Sequence, residues 1–453
     1  MIYRVLRVLF HVSLRGFFRN VVVEGGANIP TSGPVLLVGN HTNAFVDPLV
    51  VLTSIDRRLT LTAKSTLTKS RFLSFLLRGF GVVLLHRRQD REEGARPEKN
   101  VGALGECVDI LRAGGAVFVF PEGVSHSDPG MRPFKNGAAR IVEGYLEADG
   151  APPLSIVPVG LHFNKKDRWR SDAVALMGPV VDARSLGGEA EDSDALTAAL
   201  RQRVEAVTAN FGSTEERELV TQAGRLMEYR PEGPEPLDRV RVFDAGTHVD
   251  LVHRLQFGAH RLRARDPALF ESLTEESTAI ANELRELGVE PHEVSLSMHI
   301  GRVALFILRE LEILLVGAPL ALAGAIVGFV PYQVTRRLVR LLSEDEDHPA
   351  SNAVFLSIPI FLTWWLMIGI AALFFGVGWF LVVTVGAPFT GLVYLGYRDR
   401  SGGMVRRVRS FLLWRREPDT RARLESRLGA WQARLLDVEE SLTHPEDRGV
   451  SDV

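Results

Sequence analysis

One cysteine, Cys107, occurs in 453 residues. No intramolecular disulfide can form, which fits a reducing compartment, and its helix-prone setting (NVGALGECVDILRAGG) suggests a buried structural thiol. Neither sign of charge dominates: 53 Lys and Arg stand against 55 Asp and Glu, a formal net charge of -2. A nucleic-acid binder needs a strongly basic balance, so no nucleic-acid partner is expected. Internal repeats and low-complexity tracts are missing. No cleavable secretory signal is expected, since MIYRVLRVLFHVSLRGFFRN has neither an unbroken apolar core nor a small-residue cleavage site. Instead Arg4, Arg7, His11, Arg15 and Arg19 recur at helical spacing among Val5, Leu6, Leu9, Val12 and Phe17. Residues 1–19 therefore read as an interfacial amphipathic helix lying on anionic lipid, or as a helix packed on the protein with a solvated basic edge.

Charge is scarcest late in the chain. Residues 313–330 carry none, and neither do residues 353–397. A single bilayer span takes about 20 apolar residues, so 353–397 reads as two spans turning near FGVGW (375–379). The expected membrane domain is 306–398, with hydrophobic segments at about 313–332, 353–374 and 377–397. The first contains Pro319 and is read as spanning or re-entrant. Arg336, Arg337 and Arg340 follow it, and Arg398, Arg400, Arg406, Arg407 and Arg409 follow the last. Under the positive-inside rule these flanks prefer the cytoplasm. The chain reads as a multi-pass membrane protein whose soluble part faces the cytoplasm, with membrane lipids as partners.

Residues 20–185 alternate short apolar runs with helical stretches, the pattern of an α/β domain. Strands are predicted at 21–25, 34–39, 81–87, 116–121, 155–163 and 173–178. Helices are predicted near 47–54, 65–79, 98–113, 135–147 and 193–211. Residues 186–305 form a charged, helix-prone extension, and 399–453 a helical tail with a disordered end. In the tail, Leu428, Trp431, Leu435 and Leu442 have an approximate heptad spacing, read as packing on the α/β domain or pairing with a partner helix.

VGNHTNAFVDPLVV, from Val38, places His41 and Asp47 six positions apart. On a regular helix they would diverge by about 240°, so they meet only across a turn. Asn40, Thr42 and Asn43 are turn formers, and Pro48 disfavours the helical state for Asp47. Gly39 closes a strand just before, and the carboxyl end of a strand is where α/β proteins hold ligands. A carboxylate against an imidazole fixes its tautomer, making a general base for a hydroxyl. With no serine or cysteine nucleophile in that loop, direct attack by a substrate alcohol is favoured over a covalent enzyme intermediate. His41, Asp47, Glu122 and His126 also have the chemistry of a mixed metal-ligand set.

Three further segments surround this pair. FPEGVSHS begins at Phe120, directly after a strand. GVVLLHRR (81–88) ends in arginines suited to a phosphate. IVPVGLHFNKKDRWR (156–170) ends in a basic run.

Together NHTNAFVD, GVVLLHR, FPEG and IVPVG, in this order, resemble the glycerophospholipid acyltransferase (PlsC-like, lysophosphatidic acid acyltransferase) superfamily over residues 20–180. The wording of the first block, FPEG followed by Ser125 and His126, and the hydrophobic segments after the domain are similar to the fungal glycerol-3-phosphate/dihydroxyacetone-phosphate acyltransferase branch. The superfamily leaves four residues between its His and Asp; here there are five. Its common FPEGTRS has become FPEGVSHS, so an arginine contact is missing that His126, Lys135 or the 165–170 run would replace.

The resemblance implies an α/β domain with a central mixed sheet and acyl transfer from acyl-CoA or acyl-carrier protein to a glycerol-phosphate acceptor. His41 is then the general base and Asp47 its orienter. Arg87, Glu122, Gly123, Lys135, Lys166, Arg168 and Arg170 belong to substrate binding, and Pro158 to the acyl-donor side. No metal or other cofactor is expected.

Overall fold

The computed structural model describes residues 2–69, 71–85, 100–148, 150–166, 168–189, 192–231, 245–296, 300–342 and 349–443. The chain divides into two compact units. The first carries a sheet of β1 (Asn20–Glu24), β2 (Val35–Gly39), β3 (Leu59–Lys64), β4 (Val83–Leu85), β5 (Ala116–Val119), β6 (Ser155–Phe163), β7 (Asp172–Met177) and β8 (Val181–Asp182). Across the sheet they run β1-β7-β6-β2-β5-β3-β4, with β8 also beside β6. From β6 to β4 every pairing is parallel, whereas β7 and β8 run antiparallel to β6. The sheet is mixed, as the resemblance implied.

Strand β2 shows why the sheet lies at the centre. All five residues of VLLVG are buried. Val35 and Leu37 enter a core with α1 (Ile2–Phe17), α2 (Val46–Ser54) and α3 (Arg71–Phe80). Leu36 and Val38 enter a second core with α4 (Asn100–Arg112), α5 (Gly137–Leu146) and α7 (Ser193–Glu205), while α6 (Ala183–Glu189) follows β8. Successive strand residues point to opposite faces, so a wholly apolar run is stable only when helices cover both. Burying each such side chain contributes about 1.5–3 kcal/mol. Asp192 starts α7 by accepting from the amides of Asp194 and Ala195 at 2.9 and 2.8 Å, a cap worth about 1 kcal/mol. Helices α6 and α7, which the sequence assigned to the extension, complete this sheet.

Cys107 lies fully buried in the second core. Burial, with Glu106 adding to it, pushes its thiol up to about 12. Thiolate is the reactive form, so at pH 8 only about one part in 10⁴ of the thiol is ionised. Iodoacetamide at that pH is expected to leave the folded protein unlabelled and to label it after denaturation, as mass spectrometry would record.

Helix α1 packs on the protein along one face. Leu6, Phe10, Leu14 and Phe17 are buried in the first core, while Ile2, Val5, Val8 and Val12 stay exposed. Arg7 turns inward, donating to the Ile55 carbonyl at the end of α2 and lying 3.5 Å from Asp56.

The second unit contains α8 (Thr214–Leu226), α9 (Ala245–Arg265), α10 (Pro267–Leu287), α11 (Pro291–Val294), most of α12 (Ile300–Leu342), the end of α13 (Pro349–Ala372), α14 (Val377–Arg416) and α15 (Pro418–Thr443). The remaining parts of α12 and α13, Pro331–Trp364, belong to the first. Among the described residues, three helices are long and apolar enough to cross a membrane: Val303–Leu342, Ala350–Phe375 and Val377–Arg416. Helix α12 runs unbroken through Pro319, with no fold-back of the re-entrant kind. The turn between the last two falls at Gly376, whose φ of 113° is open to glycine. A Cβ at Gly324 would stand 2.0 Å from the Thr390 carbonyl, so α12 and α14 meet backbone to backbone. Arg400 grips Glu310 with two hydrogen bonds nearby.

The tail and the extension share one core. Leu424, Leu428 and Trp431 of α15 are buried with Leu273 and Ile280 of α10, and Trp431 Nε1 donates to the Leu273 carbonyl at 3.1 Å. The apolar stripe of the tail therefore packs on the helical extension.

Candidate active site

Sheet register sets up the site. β2 and β5 pair from Val35↔Ala116 to Val38↔Val119, and the same offset carried past the strand ends brings His41 opposite Glu122. The bond is there: the His41 amide donates to Glu122 Oε1 at 2.7 Å. On the other side β2 pairs with β6, and the Asn40 side chain continues that ladder. Its Oδ1 accepts from the Leu161 amide at 2.7 Å, and its Nδ2 donates to the Leu161 carbonyl at 3.2 Å. His41 thus emerges at the shared carboxyl edge of three parallel strands, anchored on both sides.

The loop then reverses, with Ala44 at φ 42°, and enters α2. Asp47 lies in the first turn of that helix, although Pro48 suggested a non-helical state. Proline is tolerated there because first-turn amides have no intrahelical partner. From this position Asp47 Oδ2 reaches back to accept from His41 Nδ1 at 2.8 Å and from the amides of Thr42 and Asn43, both at 2.7 Å. The carboxylate is fully buried and the imidazole 18% exposed. A carboxylate oxygen can only accept, so Nδ1 carries the hydrogen and Nε2 presents a lone pair. Among the described residues Nε2 has no hydrogen-bond partner. Phe120 stacks on the imidazole with ring centroids 4.2 Å apart and an interplanar angle of 17°.

Glu122 is 2% exposed, and its carboxylate serves the protein. Oε1 takes the His41 amide; Oε2 takes the Arg132 amide at 2.8 Å and the His126 Nε2 hydrogen. His126 Nδ1 accepts from the Asp128 amide at 3.2 Å. Both His126 nitrogens are therefore engaged behind the site. The four residues considered as metal ligands pair off as His41–Asp47 and His126–Glu122. Among the described residues no group of three or more His, Cys, Asp or Glu is placed to hold a metal ion.

The other expected substrate contacts fall in different places. Gly123 has φ 73°, and a Cβ there would come 2.8 Å from Lys135 Nζ, so the ammonium lies over this turn. Lys166 Nζ donates to the Thr42 carbonyl at 3.1 Å and to Ser127 Oγ, while its own carbonyl accepts from Asn43 Nδ2 at 3.3 Å. It clasps the histidine loop to the segment after FPEG. Arg168 is exposed. Arg170 Nη1 donates to the carbonyls of Arg15 and Phe18 at 2.9 and 3.0 Å, satisfying the C-terminal end of α1. Pro158 is buried in β6 between the stretches that pair with β8 and with β7, a gap in the ladder where its missing N–H costs nothing. Arg87 lies outside the described residues.

Sequence reasoning did not assign roles to Phe120, Ser127 or the Asn40 side chain. Phe120 begins the quoted FPEG block, and Asn40 directly precedes the histidine, so both lay within view.

A buried carboxylate bracing an imidazole at a sheet edge, with no nucleophilic side chain in its loop, is an arrangement that can serve as a general base. Residues 20–162 match the acyltransferase family. A 1-acyl-sn-glycerol-3-phosphate acyltransferase of Borreliella burgdorferi is 28% identical over 136 residues, 30% of this chain and 51% of that protein. Glycerol-3-phosphate O-acyltransferase 2 of Saccharomyces cerevisiae is 27% identical over 286 residues, 60% of this chain and 36% of that one. A crystal structure of the 1-acyl-sn-glycerophosphate (LPA) acyltransferase PlsC from Thermotoga maritima has 23% identity and a TM-score of 0.33, covering 44% of this chain and 76% of that one. Residues 20–162 are thus similar to the acyltransferase domains of glycerolipid acyltransferases. The chain spans about a third to a half of the length of the curated relatives it matches.

Proposed function

We propose that the protein is a membrane-bound O-acyltransferase that moves a fatty acyl group from acyl-CoA or acyl-carrier protein to a hydroxyl of glycerol 3-phosphate or dihydroxyacetone phosphate. One observation carries the reading: His41 Nδ1 is held by Asp47 at 2.8 Å while Nε2 keeps its lone pair. Nε2 takes the proton as the acceptor oxygen attacks the thioester carbonyl. The C–O bond forms, the tetrahedral oxyanion collapses with cleavage of the C–S bond, and the imidazolium returns the proton to the leaving thiolate. Lys135, Lys166 and Arg168 supply positive charge around the loops that frame the histidine, suited to the acceptor phosphate. Arginines flanking the apolar helices favour a catalytic domain on the cytoplasmic side.

The alignment with the yeast glycerol-3-phosphate enzyme, which covers 60% of this chain, supports the first-step acceptors. Relatives named as 1-acyl-sn-glycerol-3-phosphate acyltransferases support a second reading, in which lysophosphatidic acid is the acceptor. Purified protein in nanodiscs offered each acceptor with each donor should give a monoacyl product from glycerol 3-phosphate or dihydroxyacetone phosphate, identified by mass. A diacyl product from lysophosphatidic acid alone would establish the second reading, and no acylated product in any combination would overturn both.

A further inference from the structure

Between the two amides that brace Asp47 and the start of α2, the histidine loop passes through Ala44. Its positive φ is a strained backbone state for a non-glycine residue and persists only where its surroundings hold it. One of the groups that hold it lies some 300 residues away in the sequence. Ser351, in the first turn of α13, is 1% exposed. Its hydroxyl accepts from the Phe45 amide at 3.1 Å and lies 3.3 Å from the Asn43 carbonyl, to which it donates. One oxygen therefore bridges the residues on either side of Ala44. Asn43 is also the residue whose N–H donates to Asp47 Oδ2. Its amide is thus held by the orienting carboxylate, and its carbonyl is shared between the Val46 amide at 2.9 Å and the Ser351 hydroxyl.

The seam around this bridge belongs to the same helix. Phe355 meets Phe45 and Phe10 edge to face, both at 5.1 Å. Ala350 and Val354 are buried, and Ser13 of α1 donates to the Val354 carbonyl and bonds Ser357, both at 2.9 Å. Residues 350–375 form one of the three helices apolar enough to cross a membrane. The element that completes the loop is therefore a helix long and apolar enough to cross a membrane.

We infer that Ser351 is a positioning residue for the His41–Asp47 pair, and that the seating of α13 against the histidine loop sets the geometry of the base. The inference rests on the acyl-transfer reading above. Without the hydroxyl, the partly buried Phe45 amide loses its acceptor, Ala44 is free to relax, and the amides of Thr42 and Asn43 swing away from Asp47. The imidazole then keeps its pocket and loses its bearing, which affects turnover rather than substrate affinity.

The test uses full-length protein in nanodiscs. Ser351→Ala should lower kcat at least tenfold while leaving KM for donor and acceptor within twofold. It should also speed amide exchange in peptides covering residues 40–47 at least tenfold. Ser351→Thr and Ser351→Val have the same shape and differ in the hydroxyl, so Thr should restore kcat relative to Val at matched thermal midpoints. This pair decides the matter if the alanine variant folds poorly. Ser357→Ala removes a hydrogen bond from the same seam without touching the loop and should change neither readout. Turnover of Ser351→Ala within twofold of the parent, an unchanged exchange rate, equal activity of the Thr and Val variants, or the same losses in Ser357→Ala would each overturn the inference. A parent protein that acylates neither acceptor would overturn the functional reading instead, and the exchange comparison would still decide whether Ser351 holds the loop.

Discussion

His41→Ala is expected to lower kcat for acyl transfer by about 10²–10⁴-fold, the range for a positioned general base, with little change in KM for the donor. The alcohol must lose its proton as it attacks, and Nε2 is the only basic lone pair in the histidine loop whose opposite nitrogen is fixed by a buried carboxylate. The imidazole sits in a loop pinned by the Asn40 ladder and the Glu122 bond to the His41 backbone. Those contacts do not involve the ring, so the variant should fold. Equal thermal midpoints with lost turnover would attribute the effect to chemistry, whereas turnover near that of the parent would remove His41 from the mechanism.

Asp47→Asn should be nearly as damaging, with a loss of about 10²–10⁴-fold in kcat. Oδ2 accepts from three donors, and the remaining oxygen, Oδ1, is buried with no hydrogen-bond partner among the described residues. In one amide orientation the asparagine oxygen replaces Oδ2, and its NH₂ is buried where Oδ1 was, with nothing to receive it. In the other, the NH₂ faces three N–H groups. Either arrangement leaves buried donors unpaired, at about 1–3 kcal/mol each, and the second also turns the imidazole to the wrong tautomer. The measurement is kcat beside the midpoint of thermal unfolding. A variant that keeps near-parental turnover despite reduced stability would show that the carboxylate only braces the fold.

The contact between these two side chains was legible because it follows from local rules. Six positions with turn formers between them allow one geometry for contact, and the glycine before them ends a strand. Strand β6 was legible to the residue, Ser155 to Phe163, since an apolar run bounded by proline-rich and basic segments has one reading. Strand β3 was missed. Its period-two alternation, Leu59-Thr60-Leu61-Thr62, is weakened by a polar face and a closing lysine. Arg170 was grouped with the basic run at 165–170 because sequence shows charge and not neighbours. Packing brings the end of α1 beside it, and Arg170 becomes the partner of that helix's carbonyls. Glu122 was assigned to the substrate side, yet its oxygens meet main-chain amides across a register that only the assembled sheet sets. Ser351 left no trace at all, since nothing near residue 351 refers to residue 43.

The aromatic ring of Phe120 has one more consequence. It lies parallel to the imidazole and is itself backed by Phe118 at 4.5 Å. While the acceptor proton resides on His41, the imidazole is a cation spread over the negative face of a neighbouring π system, an attraction of about 0.5–2 kcal/mol once water is displaced. Under the acyl-transfer proposal, the first residue of FPEG would thereby shelter the short-lived charge between the attack of the alcohol and the departure of the thiol.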